Sequence, residues 1–243
     1  MELTKILSMV DHTLLKPEST WAQIQEICDD AIKYGTATVC IPASYVARCR
    51  AYMDAKASKV GVCTVIGFPH GSHETAIKVA EAKLALDEGC TELDMVINIG
   101  KMIAGDTLYV KNEIKLLADL AHAQGAILKV ILETCYLTDE QKLACCQLAE
   151  AAGADFVKTS TGYGSKGCTI DDLKLMRASV SEHVRVKGSG GIRDLDTVLS
   201  ARAVGASRCG VSATAAIMAE AEKRYAEGTL VEVTELTEMS GGY

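Results

Sequence analysis

The chain has 243 residues, of which 49% are hydrophobic, and it carries a formal net charge of −7 at pH 7. This length and composition suffice for one hydrophobic core, so we expect a single domain over residues 1–243. The acidic balance argues against a nucleic-acid partner, whose phosphates require a basic face, and the sequence has no apolar stretch long enough to predict a membrane span.

Eight short apolar runs predict β-strands. Several follow an alanine-rich segment that ends in glycine, such as residues 121–125, and glycine is favoured where a helix ends in a left-handed turn. The runs are continuous rather than alternating, as in parallel strands that are buried on both faces. The predicted strands cover residues 10–14, 36–41, 60–66, 92–97, 127–133, 155–159, 184–188 and 208–211.

Segments of helical periodicity lie between these runs, and they include residues 74–87, 107–122, 139–152, 170–182 and 213–225. Strict alternation without a linker predicts an α/β fold, a (β/α)8 TIM barrel with an N-terminal helical extension between the first strands. A doubly wound open sheet is the alternative. The last residues, 227–243, predict a mobile C-terminal tail, and both a frayed end and a tail that folds over a pocket fit their composition.

The N-terminal segment and the cysteines both favour the cytoplasm. Residues 1–9 lack the basic start and apolar core of a secretion signal. The ten cysteines form no paired framework and no C-x-x-C motif, so we expect reduced, mostly buried thiols. His70 and His73 lie three residues apart without further ligands nearby, and we predict no metal site.

Polar residues near the carboxyl ends of the predicted strands face one mouth of the barrel, where residues distant in the chain converge. Burying several charges there costs free energy, which favours a function for the group, although each member alone also fits a structural ion pair. For Cys40 a buried, inert thiol is the default interpretation. The candidates are Asp11, Cys40, Asp94, Lys129, Lys158, Lys187 and Ser212.

Lys158 and Lys187 end two apolar runs that are expected to form neighbouring strands. A lysine has an ordinary pKa of about 10.4, so a neutral amine at pH 7 costs about 4.6 kcal/mol. A second ammonium about 4 Å away disfavours the charged form by about 4 kcal/mol. The pair therefore predicts one nucleophilic amine that forms a Schiff base with a carbonyl, without deciding which lysine is attacked.

Asp94 lies within an apolar run, in a position to act as general acid and base beside the lysines. The alternative is a counter-ion for Lys129 or Lys158. Glycine-rich turns follow the last two predicted strands, where barrels commonly bind phosphate, and they include Gly190, Gly191 and Ser212. Glycine is also common in turns that bind nothing, so the prediction of a phosphate site rests on the location of these residues after the last two strands.

The chain resembles the deoxyribose-phosphate aldolases, a family of class I aldolases, over essentially its whole length. The segments that carry the resemblance are residues 11–17 (DHTLLKP), 67–71 (GFPHG), 92–100 (ELDMVINIG), 128–134 (LKVILET), 156–162 (FVKTSTG) and 184–191 (VRVKGSGG). The resemblance implies a carbon–carbon lyase of deoxyribonucleotide catabolism. Such an enzyme reversibly cleaves 2-deoxy-D-ribose 5-phosphate to acetaldehyde and D-glyceraldehyde 3-phosphate, without a cofactor.

The resemblance also implies roles for individual residues. It assigns the Schiff base to Lys158, the neighbouring ammonium to Lys187 and the proton relay to Asp94. It also implies that the substrate phosphate is held by Gly190, Gly191 and Ser212, that the polar network is completed by Asp11 and Lys129, and that proton transfer is assisted by Tyr243. Cys40 is a candidate for lining the pocket because of its place at a strand end, not because of the resemblance. Some members carry lysine at the position of Tyr163 and serine at that of Ala213, which leaves the phosphate affinity open. A homodimer is the working hypothesis for the assembly.

Two alternative functions remain at this point. One is another phosphate-binding barrel enzyme, such as an isomerase or a transaldolase-like Schiff-base enzyme that acts on a longer ketose. The other is a sugar-phosphate binding protein without turnover. The carbonyl donor distinguishes the two enzymes, since a deoxyribose-phosphate aldolase binds acetaldehyde at Lys158 whereas a transaldolase-like enzyme takes a fragment from a ketose. A binding protein would bind its ligand equally well when Lys158 is replaced.

Overall fold

The computed structural model describes residues 1–239, which form a closed barrel of eight parallel strands. The strands pair in chain order, and the eighth pairs with the first. This closure confirms the predicted TIM barrel and excludes the doubly wound open sheet. The strands are β1 (Val10–Thr13), β2 (Thr38–Ile41), β3 (Gly61–Ile66), β4 (Glu92–Val96), β5 (Ile127–Ile131), β6 (Phe156–Lys158), β7 (Arg185–Ser189) and β8 (Ala206–Val211).

Helices surround the barrel, and one of them precedes the first strand. They are α1 (Leu3–Leu7), α2 (Trp21–Tyr34), α3 (Val46–Ala55), α4 (Thr75–Asp87), α5 (Ile99–Ile103), α6 (Thr107–Ala123), α7 (Asp139–Ala151), α8 (Ile170–Ser179), α9 (Leu195–Ala203) and α10 (Thr214–Ala226). Because α1 precedes β1 and α2 lies between β1 and β2, the predicted N-terminal helical extension is present. None of the helices within residues 1–239 has both the length and the apolar character needed to cross a bilayer.

The predicted strands differ from the observed ones by one or two residues at an end. The largest error for a helix is at α8, which ends at Ser179 rather than at residue 182, because Val180 adopts an extended backbone (φ −129°, ψ 157°). Two helices that follow mouth loops begin with capping boxes. Thr138 pairs with Gln141 at α7, and Asp194 pairs with Thr197 at α9, so their first turns begin at defined residues.

The described part of the predicted tail, residues 227–239, lies against the barrel. The N-terminal amine of Met1 donates to the Leu230 carbonyl at 2.7 Å, Arg202 pairs with Glu232 at 3.1 Å, and the Thr237 N–H donates to Ser200 Oγ at 2.9 Å. Residues 240–243, including Tyr243, lie outside the described residues. The expected mobility of the tail stays a prediction.

The loop after β3 approaches the end of β4 closely at Gly71. This residue has a φ of +67°, and a Cβ there would lie 1.8 Å from the Ile97 carbonyl oxygen. Gly105 provides a matched control, since its φ is also positive (+80°) but a Cβ there would have open space.

We predict that Gly71→Ala lowers the free energy of unfolding by about 3 kcal/mol or more, since backbone strain and a steric clash add. Gly105→Ala should lower it by only about 1 to 2 kcal/mol, the cost of a left-handed alanine. Urea denaturation followed by circular dichroism measures both. Equal losses in the two variants would contradict the close approach of Gly71 to β4.

Candidate active site

Five of the predicted residues meet inside the barrel. Strand pairing sets Asp94 of β4 beside Lys129 of β5, and Lys158 of β6 beside Lys187 of β7. Asp11 of β1 completes the group across the barrel. Lys158 is 3% exposed and the other four side chains belong to residues with no exposed surface, so all five are removed from bulk water.

The Asp94 carboxylate lies at the centre of this group. Its Oδ1 accepts from Lys129 Nζ at 2.7 Å, and its Oδ2 accepts from both Lys158 Nζ and Lys187 Nζ at 2.7 Å. Because two ammonium nitrogens share one oxygen, they lie no farther apart than twice that distance. The lysine pair that the sequence predicts is therefore assembled in the barrel, with Asp94 between its members.

Asp94 and Lys187 each have neighbours of opposite charge that favour their charged forms. Burial alone would raise the pKa of Asp94, but Lys129, Lys158 and Lys187 outweigh it and hold the pKa well below its ordinary value. Burial alone would lower the pKa of Lys187, but Asp11 and Asp94 outweigh it and raise that pKa. These neighbours favour the ammonium form of Lys187 beside Lys158 at neutral pH.

Arg208 and Glu92, which were not predicted from the sequence, extend the network toward the floor of the barrel. Arg208 Nη1 lies 2.6 Å from Asp11 Oδ1 and 3.0 Å from Glu92 Oε2, and Lys129 Nζ lies 2.5 Å from Glu92 Oε2. Side chains two residues apart in a strand share a face. Glu92 precedes Asp94 by two residues, and this spacing was the available signal.

The charges of the buried network are unequal in number. If all seven groups are ionised, the network holds one positive charge in excess, and a neutral Lys158 would balance it. Lys158 also has the fewest ion pairs, since Asp94 is its one carboxylate partner within residues 1–239. The carboxylates are Asp11, Glu92 and Asp94, and the cations are Lys129, Lys158, Lys187 and Arg208.

Cys40 lies in a small apolar cluster beside the network. It is in register with Cys63 of β3, and both thiols are buried together with Val65. The Cys63 thiol donates to Asp94 Oδ1 at 3.2 Å, and burial raises the pKa of Cys63 well above its ordinary value. Two sulfurs and a carboxylate oxygen lie within 4.8 Å of one another here, but both Asp94 oxygens already accept from ammoniums, so a metal ion would have to displace lysines.

The three predicted phosphate residues line one cavity of about 20 Å³. Gly190 and Gly191 follow β7, and Ser212 follows β8 and is exposed. Arg193, an exposed cation that the sequence analysis did not select, also lines this cavity. The mouth loops after β7 and β8 thus meet where an anion would find glycine backbone, a hydroxyl and a guanidinium.

Tyr163 reaches across the mouth from the loop after β6. Its hydroxyl donates to the Leu15 carbonyl at 2.9 Å, and its ring meets Phe68 edge-on with centroids 5.4 Å apart. A cavity of about 380 Å³ opens beside it and is also lined by Glu133 and Thr161. A larger cavity, about 670 Å³, is lined by residues of α7, α8 and the loops that precede them, and it has none of the predicted site residues among its lining residues.

Comparison with known proteins agrees with this geometry. Residues 5–219 match the model of the DeoC/LacD family of aldolases. The chain is 49% identical over 219 residues to a deoxyribose-phosphate aldolase of Rhodopirellula baltica, covering 90% of each chain. It is 48% identical to that of Thermococcus kodakarensis, covering 87% of this chain and 95% of the relative.

Two solved structures share the fold. A putative deoxyribose-phosphate aldolase from Coccidioides immitis superposes with a TM-score of 0.86 at 40% identity, over 91% of this chain and 87% of that one. A tetrameric deoxyribose-phosphate aldolase from Aeropyrum pernix superposes with a TM-score of 0.84 at 30% identity, over 92% of this chain and 93% of that one.

We predict that Asp11→Asn lowers the free energy of unfolding by about 3 kcal/mol at pH 7, because it removes one of the two buried carboxylates that pair with Lys187 and one of the two that pair with Arg208. Burial alone would raise the pKa of Asp11, but Lys187, Lys129 and Arg208 outweigh it and lower that pKa. The stabilisation is therefore present above the ordinary aspartate pKa and is lost as the pH falls toward the folded value. The difference between the variant and the wild type should shrink below about pH 4.

Urea denaturation at pH 7 and at pH 3 measures this difference. Asp119→Asn is the control, because it breaks an exposed pair with Lys115 and should leave stability nearly unchanged. A pH-independent difference for Asp11→Asn would show that the carboxylate charge is not what stabilises the fold.

Proposed function

Because the chain belongs to the DeoC/LacD family of aldolases, we infer that it reversibly cleaves 2-deoxy-D-ribose 5-phosphate to acetaldehyde and D-glyceraldehyde 3-phosphate. It is a carbon–carbon lyase that acts through a Schiff base. The observation that carries this conclusion is the contact of both Lys158 Nζ and Lys187 Nζ with one oxygen of Asp94 inside the barrel. This arrangement provides an amine, a fixed positive charge and a carboxylate within reach of one carbonyl carbon.

We assign the nucleophile to Lys158. A neutral Lys158 balances the buried charges, whereas Lys187 is paired to two carboxylates and is better suited to remain an ammonium. The positive charge of Lys187 disfavours a second ammonium at Lys158, which favours the amine. Lys158 is also the one lysine of the network with measurable exposure.

The reaction follows from these roles. The Lys158 amine adds to C1 of the open-chain sugar, and loss of water leaves an iminium. As the C2–C3 bond breaks, its electron pair forms the enamine on C1 and C2, and the C3 hydroxyl gives up its proton to release glyceraldehyde 3-phosphate. The enamine then takes a proton at C2, and water hydrolyses the iminium to acetaldehyde. Asp94 lies beside Lys158 Nζ, where a proton relay is needed.

The chemistry as proposed needs no cofactor, because the iminium is itself the electron sink. We assign the substrate phosphate to Gly190, Gly191 and Ser212, with Arg193 as a further cation of the same cavity. Cys40 is fully buried beside the polar network, in register with Cys63, and we assign Asp11 and Lys129 to the completion of that network. The proposed contribution of Tyr243 to proton transfer concerns a residue outside residues 1–239.

We further propose a cytoplasmic homodimer. The ten cysteines are all free and nine of them are buried, as expected in a reducing compartment. Exposed apolar side chains on α4, including Ile77 and Leu84, offer surface for a second copy. The relative from Aeropyrum pernix is described as tetrameric, so the assembly of this chain needs its own measurement, for which light scattering is suited.

We predict that sodium borohydride in the presence of acetaldehyde adds an ethyl group to Lys158, because reduction fixes the Schiff base as a secondary amine. Peptide mass analysis locates the modification. Lys158→Ala should abolish both the adduct and the cleavage of deoxyribose 5-phosphate, whereas Lys115→Ala, which removes an exposed lysine of α6, should change neither. Trapping of a ketose-derived fragment without trapping of acetaldehyde would favour a transaldolase-like enzyme instead.

We predict that Lys187→Leu lowers cleavage activity and shifts the remaining activity to higher pH. The substitution removes a positive charge beside Lys158 and leaves Asp11 and Asp94 with one counter-charge fewer, so both effects favour the ammonium form of the nucleophile. The pH dependence of kcat/KM measures the shift. An unchanged pH profile would reject the charge coupling between the two lysines.

A further inference from the structure

Glu133 lies two residues after the end of β5 and has a backbone conformation that residues other than glycine rarely adopt. Its φ is +55° and its ψ is +65°, in the left-handed region, and the residue is 2% exposed. A non-glycine residue keeps such a conformation where surrounding contacts impose it. The turn directs the Glu133 side chain away from its own strand and toward the loop that follows β6.

The Glu133 carboxylate binds Thr161, three residues after Lys158. Its two oxygens accept from the Thr161 backbone N–H at 3.2 and 3.3 Å, and Oε2 also accepts a short hydrogen bond from the Thr161 hydroxyl. Burial raises the pKa of Glu133, and the hydrogen bonds from Thr161, together with the electrostatic attraction of Lys158, oppose that rise because they favour the ionised carboxylate. Thr161 therefore uses both of its donors on one buried acceptor.

The contact continues from Thr161 to the mouth. The Thr161 hydroxyl accepts from the Tyr163 N–H at 2.9 Å, and Tyr163 in turn contacts Leu15 and Phe68. The loop is also packed tightly against Glu133, since a Cβ on Gly164 would lie 3.1 Å from Glu133 Cδ. These contacts connect the ends of β5 and β6 to the loops after β1 and β3.

The same loop packs against the phosphate cavity. A Cβ on Gly190 would lie 3.5 Å from Gly162 Cα and 3.0 Å from Gly167 Cα, and the Cys168 N–H donates to the Gly190 carbonyl at 2.8 Å. A shift of the loop would therefore move the wall of the anion site. The amino group of Lys158, by contrast, is held by Asp94 within the barrel.

We propose that Glu133 is a positioning residue for the phosphorylated half of the substrate. By holding Thr161, it fixes the loop of residues 159–164 so that Tyr163 spans the mouth and Gly162 supports the phosphate cavity. The inference rests on the proposed aldolase function and adds a residue that touches neither the reacting carbon nor the phosphate. It separates two tasks, since acetaldehyde chemistry at Lys158 does not require this loop.

The test compares Glu133→Gly and Thr161→Val with the wild type. Glycine adopts the left-handed region without strain, so Glu133→Gly removes the carboxylate while relieving the backbone. In both variants KM for deoxyribose 5-phosphate should rise about tenfold or more, with kcat and the rate of borohydride trapping of acetaldehyde changed less than about twofold. If Glu133 only stabilised the fold, KM for deoxyribose 5-phosphate would not change separately from kcat and from the trapping of acetaldehyde.

The double variant and a control sharpen the result. Glu133→Gly combined with Thr161→Val should raise KM no further than the stronger single variant, because both changes remove one contact. Glu150→Gln is the control, since its carboxylate also accepts from a loop amide, that of Ser181, on the outer surface of the protein. Its KM should equal that of the wild type.

An unchanged KM in both single variants would reject the role of Glu133. Additive effects in the double variant, a similar effect of Glu150→Gln, or a loss of trapping as large as the loss of kcat/KM would reject it too. If Glu133→Gly fails to fold, Thr161→Val alone decides. Failure of the wild type to trap acetaldehyde would instead reject the proposed function.

Discussion

One buried carboxylate organises the site, because Asp94 receives three lysine ammoniums within 2.7 Å in the interior of the barrel. Taking several charges out of water is unfavourable unless each finds a partner in good geometry. The partners come from three consecutive strands, β5 to β7, which follow the strand of Asp94, β4, and the closed parallel barrel brings the four side chains to one point. The fold is thus the condition for the chemistry, and the ion pairs constrain the fold in return.

The asymmetry between the two lysines comes from their partners rather than from their positions. Lys158 and Lys187 are equivalent in the sequence, since each ends an apolar run before a glycine-rich turn. In the barrel, Lys187 is paired with Asp11 and Asp94, whereas Lys158 shares Asp94 alone among the described residues. Lys158 thus has fewer carboxylates within ion-pair distance than Lys187 has.

The fold and the lysine pair were predictable because both follow from local patterns. Continuous apolar runs specify buried strands, and the end of a strand in a barrel specifies the mouth. Arg208 and Glu92 were not predicted because they lie on the first half of their strands, where apolar packing is the expectation. Glu133 was missed for a different reason, since its left-handed backbone and its contact with Thr161 depend on how two strands end relative to each other.

The residues proposed for catalysis lie on strands, whereas those proposed for substrate recognition lie on loops. The ion-pair network lies on strands whose hydrogen bonds fix it on every side, while the phosphate cavity and Tyr163 lie on loops. Such loops tolerate change, which suits a surface that selects substrates, but they must be held in register with the nucleophile. The end of β6 and the loop after it serve both tasks, because Thr161 lies only three positions after Lys158. The buried contact between Glu133 and Thr161 connects the loop after β6, which borders the phosphate cavity, to the end of β5 in the barrel.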